Sequence, residues 1–210
     1  MKIGILRFLG TNCDYDIWEY AKALGHDCEW LWYKDQFNPT AYDRIIIPGG
    51  FIYGDYLRSG ALASRTPVMA SVKQAAQNNI PILGICNGFQ ILCEIGLLPG
   101  ALLANNNRRF IDKWVDLEVV SENNYWSWGQ QNIRLPIAHG EGRYFIDEQG
   151  LKNLEDQGGI WMRYNDNPNG SVADIAGVTQ GTVAGLMPHP ESAIYEWMGG
   201  TDGLKLLRES

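Results

Sequence analysis

The 210-residue chain has no apolar run of membrane-spanning length, and Met1-Lys2-Ile3-Gly4 does not open a leader pattern, so a cytosolic protein is expected. Histidine is scarce, with three residues, and the four cysteines at 13, 28, 86 and 93 show no C-x-x-C spacing. Structural zinc and a disulfide framework are therefore both disfavoured, and no metal site is expected. Basic residues are outnumbered, 17 Lys and Arg against 24 Asp and Glu, and the net charge of −7 argues against non-specific nucleic-acid binding, which needs clustered cations. The glycine-lysine signature of a P-loop is missing, so ATP chemistry is not expected on this chain. Repeats, low-complexity tracts and linkers are missing too. The length suits one domain, residues 1–210, able to bury roughly 70 to 75 per cent of its unfolded surface.

What the chain does have is alternation. Apolar runs at 2–8, 29–33, 44–47 and 80–85 are interleaved with helical patterns at 14–24, stopped by Gly25, and 68–78. This predicts an α/β fold: a mostly parallel, doubly wound sheet with helices on both faces, right-handed crossovers, and ligands bound beyond the carboxyl ends of the strands. Residues 114–137 read as a small antiparallel excursion and 184–187 as a returning strand. Residues 121–130, with Tyr125, Trp126 and Trp128, resist assignment; aromatics so spaced are core or folded loop more often than partner contacts.

Three motifs carry chemistry. Ile80-Pro81-Ile82-Leu83-Gly84-Ile85-Cys86-Asn87-Gly88-Phe89-Gln90 sets a cysteine between two glycines where a strand gives way to a helix, the layout of a nucleophile elbow. Such a turn crowds the backbone, and glycines at 84 and 88 relieve the contacts. Cys86 then sits at a helix N-terminus, where unpaired N–H groups and the macrodipole favour thiolate. A buried cysteine acting as a small hydrophobe is the alternative for this segment alone. In Met187-Pro188-His189-Pro190-Glu191 each proline biases its predecessor toward extended backbone, which puts His189 and Glu191 on one side. Cysteine, histidine and carboxylate make a nucleophile, a base and an orienting group, although a surface pair at a helix start is the alternative here. In Arg44-Ile45-Ile46-Ile47-Pro48-Gly49-Gly50-Phe51 the N–H of Gly50 or Phe51, together with that of Asn87, can form an oxyanion hole; a plain turn is the alternative. Gly49-Gly50-Phe51 also reads as a hinge whose peptide turns at low cost, running into residues 53–58, a candidate docking stretch. A second pair, His139-Gly140-Glu141, has glycines at 140 and 142 that leave its backbone unfixed. It reads as a loop near the site.

Together Gly84-Ile85-Cys86-Asn87-Gly88-Phe89-Gln90, Pro48-Gly49-Gly50-Phe51, Tyr53-Gly54-Asp55-Tyr56-Leu57-Arg58 and Pro188-His189-Pro190-Glu191 resemble the triad class of glutamine amidotransferases. More narrowly, the chain is similar to the glutaminase subunits of formylglycinamide ribonucleotide amidotransferase (phosphoribosylformylglycinamidine synthase) of purine biosynthesis. Gly10-Thr11-Asn12-Cys13-Asp14, Ala138-His139-Gly140-Glu141-Gly142-Arg143-Tyr144, Asn167-Pro168-Asn169-Gly170-Ser171 and Gly199-Gly200-Thr201-Asp202-Gly203 extend the likeness nearly end to end. It departs from that pattern at Ile52, Asp112-Lys113 and Ser192, none of them in the triad. The resemblance implies a class I, flavodoxin-like amidotransferase fold, with Cys86 attacking glutamine, His189 moving protons, Glu191 orienting it and Gln90 binding substrate. It also implies no cofactor in this chain, with ATP and magnesium on a synthetase subunit that receives ammonia, and a small adaptor subunit joining the two. A relative serving another acceptor and a non-catalytic regulatory relative are the alternatives. The second would need a broken triad, and no break is visible.

Overall fold

Ile45, Ile46, Ile47, Ile82, Leu83 and Ile85 are fully buried, because short apolar runs of this kind serve as central parallel strands covered on both faces. The computed structural model describes residues 1–121, 125–126 and 131–207. In chain order its elements are β1 (Lys2–Arg7), α1 (Asp14–Ala23), β2 (Asp27–Trp32), β3 (Arg44–Ile47), α2 (Val68–Gln77), β4 (Ile82–Ile85) and α3 (Asn87–Glu94). There follow β5 (Ala101–Leu103), β6 (Ile111–Val119), β7 (Asn132–His139), β8 (Arg143–Phe145), α4 (Glu148–Asp156), β9 (Ile160–Tyr164), β10 (Ile175–Gln180) and β11 (Val183–Leu186). Gly25 ends α1 as expected: at φ 78° its N–H reaches Lys22 O at 2.9 Å.

The main sheet runs β2-β1-β3-β4-β11-β10-β9-β6-β7. The first five strands are mutually parallel. The last four are antiparallel. The α/β class therefore holds, and the antiparallel part is larger than residues 114–137 alone supply, because β9 and β10 insert between β6 and the parallel strands. In β6 and β7 buried Val115, Leu117, Ile133 and Leu135 alternate with exposed Asp116, Glu118 and Arg134, so the strand period is legible. In β9 and β10 nearly every residue is buried, so nothing alternates, and Gly177 sits at a register shift. In the stretch that resisted assignment, Trp126 is fully buried and its indole N–H donates to Thr182 O at 3.3 Å. Tyr125 is 39% exposed, while Trp128 lies outside the described residues. Among the described residues no helix is long and apolar enough to cross a membrane.

In the order β2-β1-β3 the chain adds β2 on one side of β1 and β3 on the other, and ligands in open α/β sheets bind at such a switch point. The loops leaving β1 and β3 meet there through a Thr11–Gly50 bridge, and β4 and β11 deliver Cys86 and His189 to the same edge. Helix α3 lies close on this edge. A methyl at Gly88 would run into the Ile47 carbonyl, and one at Gly84 would meet the Gly88 backbone at 2.6 Å. Gly88→Ala is accordingly expected to destabilise the fold by roughly 3 kcal/mol or more, since backbone cannot yield as a side-chain tip can. A urea midpoint equal to that of the unaltered chain would show that α3 can shift away without cost.

Candidate active site

Cys86 ends β4 and caps α3 with φ 51° and ψ −106°, a conformation costly for a residue with a Cβ. Two neighbours hold it there: its N–H donates to Leu186 O at 2.8 Å, and Gln90 N–H closes the first helical turn on Cys86 O at 3.2 Å. The expected elbow is thus present as geometry. The residue is 6% exposed and lines a cavity of about 280 Å³ with Gly50, Phe51, Gln90, His139 and His189.

Extended backbone at His189, between two prolines, brings Nδ1 to Glu191 Oε1 at 2.6 Å. A carboxylate only accepts, so Nδ1 carries the hydrogen and Nε2 is the nitrogen left for reaction. Nε2 has no hydrogen-bond partner among the described residues. Burial alone would lower the His189 pKa, but the Glu191 carboxylate, with the Cys86 and Cys13 sulfurs beside the ring, raises it well above the ordinary imidazole value. Of the two His-x-Glu pairs, this is the one whose members touch. His139 Nδ1 bonds Asn105 Oδ1 at 3.1 Å, while Glu141 Oε2 accepts from Ser59 Oγ at 2.8 Å.

A second cysteine reaches the same imidazole. Cys13 Sγ lies 4.0 Å from His189 Nδ1, and the ligand atoms of Cys13, His189 and Glu191 all fall within 4.8 Å of one another. Burial raises the Cys13 thiol pKa, and its approach is to the nitrogen that Glu191 already holds. Gly49 floors this cluster: a methyl there would stand 2.9 Å from His189 Cε1 and 3.3 Å from Cys86 Cβ. The sequence marks Cys13 only as part of a motif, because its contact with His189 spans 176 residues.

The Gly49-Gly50 loop is laced to the β1 loop. Gly49 O accepts from the N–H groups of Asn12 and Cys13 at 3.3 and 3.2 Å, and Phe51 N–H donates to Gly10 O at 3.0 Å. The hinge expected to turn at low cost is therefore not what the structure holds, since rotating either peptide breaks one or two hydrogen bonds, each worth about 1 kcal/mol net. Of the candidate donors, Phe51 N–H is engaged, while those of Gly50 and Asn87 donate to no acceptor among the described residues. Residues 53–58 follow directly. Tyr56 and Leu57 are 73% and 86% exposed, whereas Arg58 is paired with Glu94 through two bonds of 2.5 and 2.7 Å.

Beyond Cys86 the cavity is walled by a polar ring that sequence reading assigned only in part. Asn87 Oδ1 accepts from Ile52 N–H at 3.0 Å, and its amide donates to Gln90 Oε1 at 2.6 Å and Asp55 Oδ1 at 3.2 Å. Gln90 in turn donates to Glu141 O at 2.6 Å. The loop carrying His139 to Tyr144 is fixed by Asn105, which accepts from Gly142 N–H at 3.1 Å, and by Asn169, which donates to Gly142 O at 2.9 Å. Burial, then His189, lowers the His139 pKa from 6.5 to about 4. The unfolded chain thus binds more protons than the folded one between those values. Stability is therefore lost as pH drops across that window, by about 1.4 kcal/mol per pH unit for this group. His139→Gln should flatten that acid limb in urea titrations at pH 4.5 and 7; an unchanged limb would show His139 charged in the fold.

The family model of the CobB/CobQ-like glutamine amidotransferase domain matches residues 1–201. Among solved structures, a chain of PurLQS from Thermotoga maritima is 43% identical, the match covering 97% of this chain and 94% of that one at a TM-score of 0.87. A glutamine amidotransferase from Thermotoga maritima, 19% identical over 91% of this chain and 76% of its own at a TM-score of 0.62, shares the fold. An elbow cysteine and a buried histidine-glutamate pair on one cavity, in a chain matched from residue 1 to residue 201, leave no doubt of kinship: it belongs to the CobB/CobQ-like glutamine amidotransferase family.

Proposed function

We propose that this chain is the glutaminase subunit of a cytoplasmic formylglycinamide ribonucleotide amidotransferase, releasing ammonia from glutamine for a synthetase subunit docked through a small adaptor. The observation that carries the chemistry is the buried His189–Glu191 pair, 2.6 Å apart, on the same cavity as the elbow cysteine. The partners are supported by the 43% identity to a chain of PurLQS.

Cys86 is the nucleophile. It is favoured over Cys13 because it sits at the strained elbow beside free N–H groups, whereas Cys13 approaches the imidazole nitrogen that Glu191 occupies. Its thiol proton passes to His189 Nε2 as the sulfur attacks the carboxamide carbon, and the developing oxyanion takes hydrogen bonds from Gly50 and Asn87 N–H. His189 Nε2 gives its proton to the departing nitrogen, releasing ammonia and leaving a thioester. The same nitrogen then takes a proton from water, whose oxygen attacks the thioester and expels the Cys86 sulfur with glutamate. Glu191 keeps the hydrogen on Nδ1 throughout. None of these steps calls for a cofactor in this chain, and ATP with magnesium belongs to the synthetase.

The test is reconstitution with the synthetase and adaptor. Cys86→Ala should abolish glutamine-dependent amidine synthesis and leave ammonia-dependent synthesis intact. Equal loss with both nitrogen donors would refute this division of labour.

A further inference from the structure

The mechanism leaves two groups beside the imidazole without a task. Cys13 takes no part in bond making, yet its sulfur stands 4.0 Å from His189 Nδ1. Glu191 is fully buried, and while Oε1 holds Nδ1 at 2.6 Å, Oε2 has no hydrogen-bond partner among the described residues. A buried carboxylate oxygen without a donor is costly, and a bound cation relieves that cost. One ligand atom each from Cys13, His189 and Glu191 lies within 4.8 Å of the other two. Thiolate, imidazole nitrogen and carboxylate together are the donor set of a borderline-soft ion that takes four ligands, and zinc is that ion. Zinc bonds of about 2.3 Å to sulfur and about 2.0 to 2.2 Å to nitrogen and oxygen put tetrahedral neighbours roughly 3.3 to 3.6 Å apart. Cys13 Sγ would close on Nδ1 by roughly 0.4 Å and Glu191 draw back by roughly 0.7 Å, shifts within reach of small side-chain rotations. Cys13 and His189 both line the cavity, which gives the ion a way in and leaves its fourth position to water. Among the described residues no lysine or arginine lines that cavity to repel it. Gly49 keeps the space open: a methyl there would stand 2.9 Å from His189 Cε1 and 3.4 Å from Cys13 Sγ. No local spacing announces the set, since Cys13 and His189 are 176 positions apart.

We infer that Cys13, His189 and Glu191 form an inhibitory zinc site, which switches the triad off when it is occupied. Binding sends the Cys13 thiol proton to solvent, puts the metal in place of the hydrogen on His189 Nδ1, and moves that hydrogen to Nε2. Zinc with one thiolate, one carboxylate and one neutral imidazole carries no net charge, which suits a buried place. With Nδ1 on the metal and a hydrogen on Nε2, the ring accepts no proton from Cys86. Cys86 stays outside the ligand set. Inhibition rests on the glutaminase reading, whereas binding does not.

Cobalt(II), which takes the place of zinc and gives a sulfur-to-metal absorption band, reports the ligands in the full chain. The band is expected in the unaltered chain and in Cys86→Ala, and its loss is expected in Cys13→Ala. Residue 13 is held by its backbone N–H on Gly49 O at 3.2 Å, so alanine there should fold. In the complex, zinc in slight excess should lower glutamate release by roughly tenfold or more, and Cys13→Ala should need roughly tenfold more zinc for the same effect. A chelator should restore the rate, and magnesium, a hard ion that prefers oxygen ligands, should not replace zinc. A band absent from the unaltered chain, kept in Cys13→Ala or lost in Cys86→Ala would overturn the site; the last two would mean that the metal sits between Cys86 and Nε2. Zinc bound as expected without slowing glutamate release would overturn the switch. If the unaltered complex released no glutamate, the glutaminase reading would fall, and the cobalt band would still decide the site.

Discussion

His189→Ala is expected to lower glutamine turnover by roughly 10³-fold or more, because one imidazole supplies the proton in both halves of the reaction. The geometry makes the demand specific. Nδ1 is held by Glu191 at 2.6 Å and Nε2 alone is left for proton transfer, so no neighbouring group can replace it. His139→Ala should cost less, and mainly in KM, since that ring is held neutral, with its pKa lowered to about 4 by burial and then by His189. Glutamate release by the complex, measured for both variants under saturating glutamine, separates the roles. If the two effects came out reversed, His139 and not His189 would be the proton carrier.

Gly50→Ala should lower kcat by roughly 10² to 10³, about 3 to 4 kcal/mol of transition-state stabilisation. Gly50 has φ 153°, and a methyl there would meet both Asn12 N and Gly10 O at 2.7 Å. The loops from β1 and β3 would have to part, and Gly50 would shift in the cavity it lines with Cys86. Because Gly49 O and Phe51 N–H pin this loop already, the loss should appear in the isolated chain as in the complex. Iodoacetamide labelling of Cys86 should be little changed, since alkylation forms no oxyanion. A kcat within threefold of the unaltered enzyme would remove Gly50 from the donor set.

The elbow, the histidine pair and the parallel strands were legible because each depends on local spacing. Glycines at 84 and 88 announce a crowded turn, prolines at 188 and 190 fix an extended backbone, and Ile45 to Ile47 read as a buried strand without knowledge of their neighbours. What was not legible depends on contacts far apart in sequence. That Phe51 N–H binds Gly10 O, and that Cys13 meets His189, follows from β1 and β3 lying side by side, which no spacing records. Helix α4 was not read from the sequence, although Asp147 caps it by accepting from Gly150 N–H at 2.7 Å. The two carboxylates of the cavity wall were hidden for the same reason: Asp55 and Glu141 are 86 positions apart and come together only as linings of one cavity.

Two cysteines flank the same imidazole, and the mechanism stands on which of them reacts. Peptide mapping of the complex after limited treatment with 6-diazo-5-oxo-L-norleucine decides it. Cys86 should carry the label, with protection by glutamine and no label in Cys86→Ala. Label on Cys13 instead, lost in Cys13→Ala and retained in Cys86→Ala, would contradict the elbow as the catalytic centre.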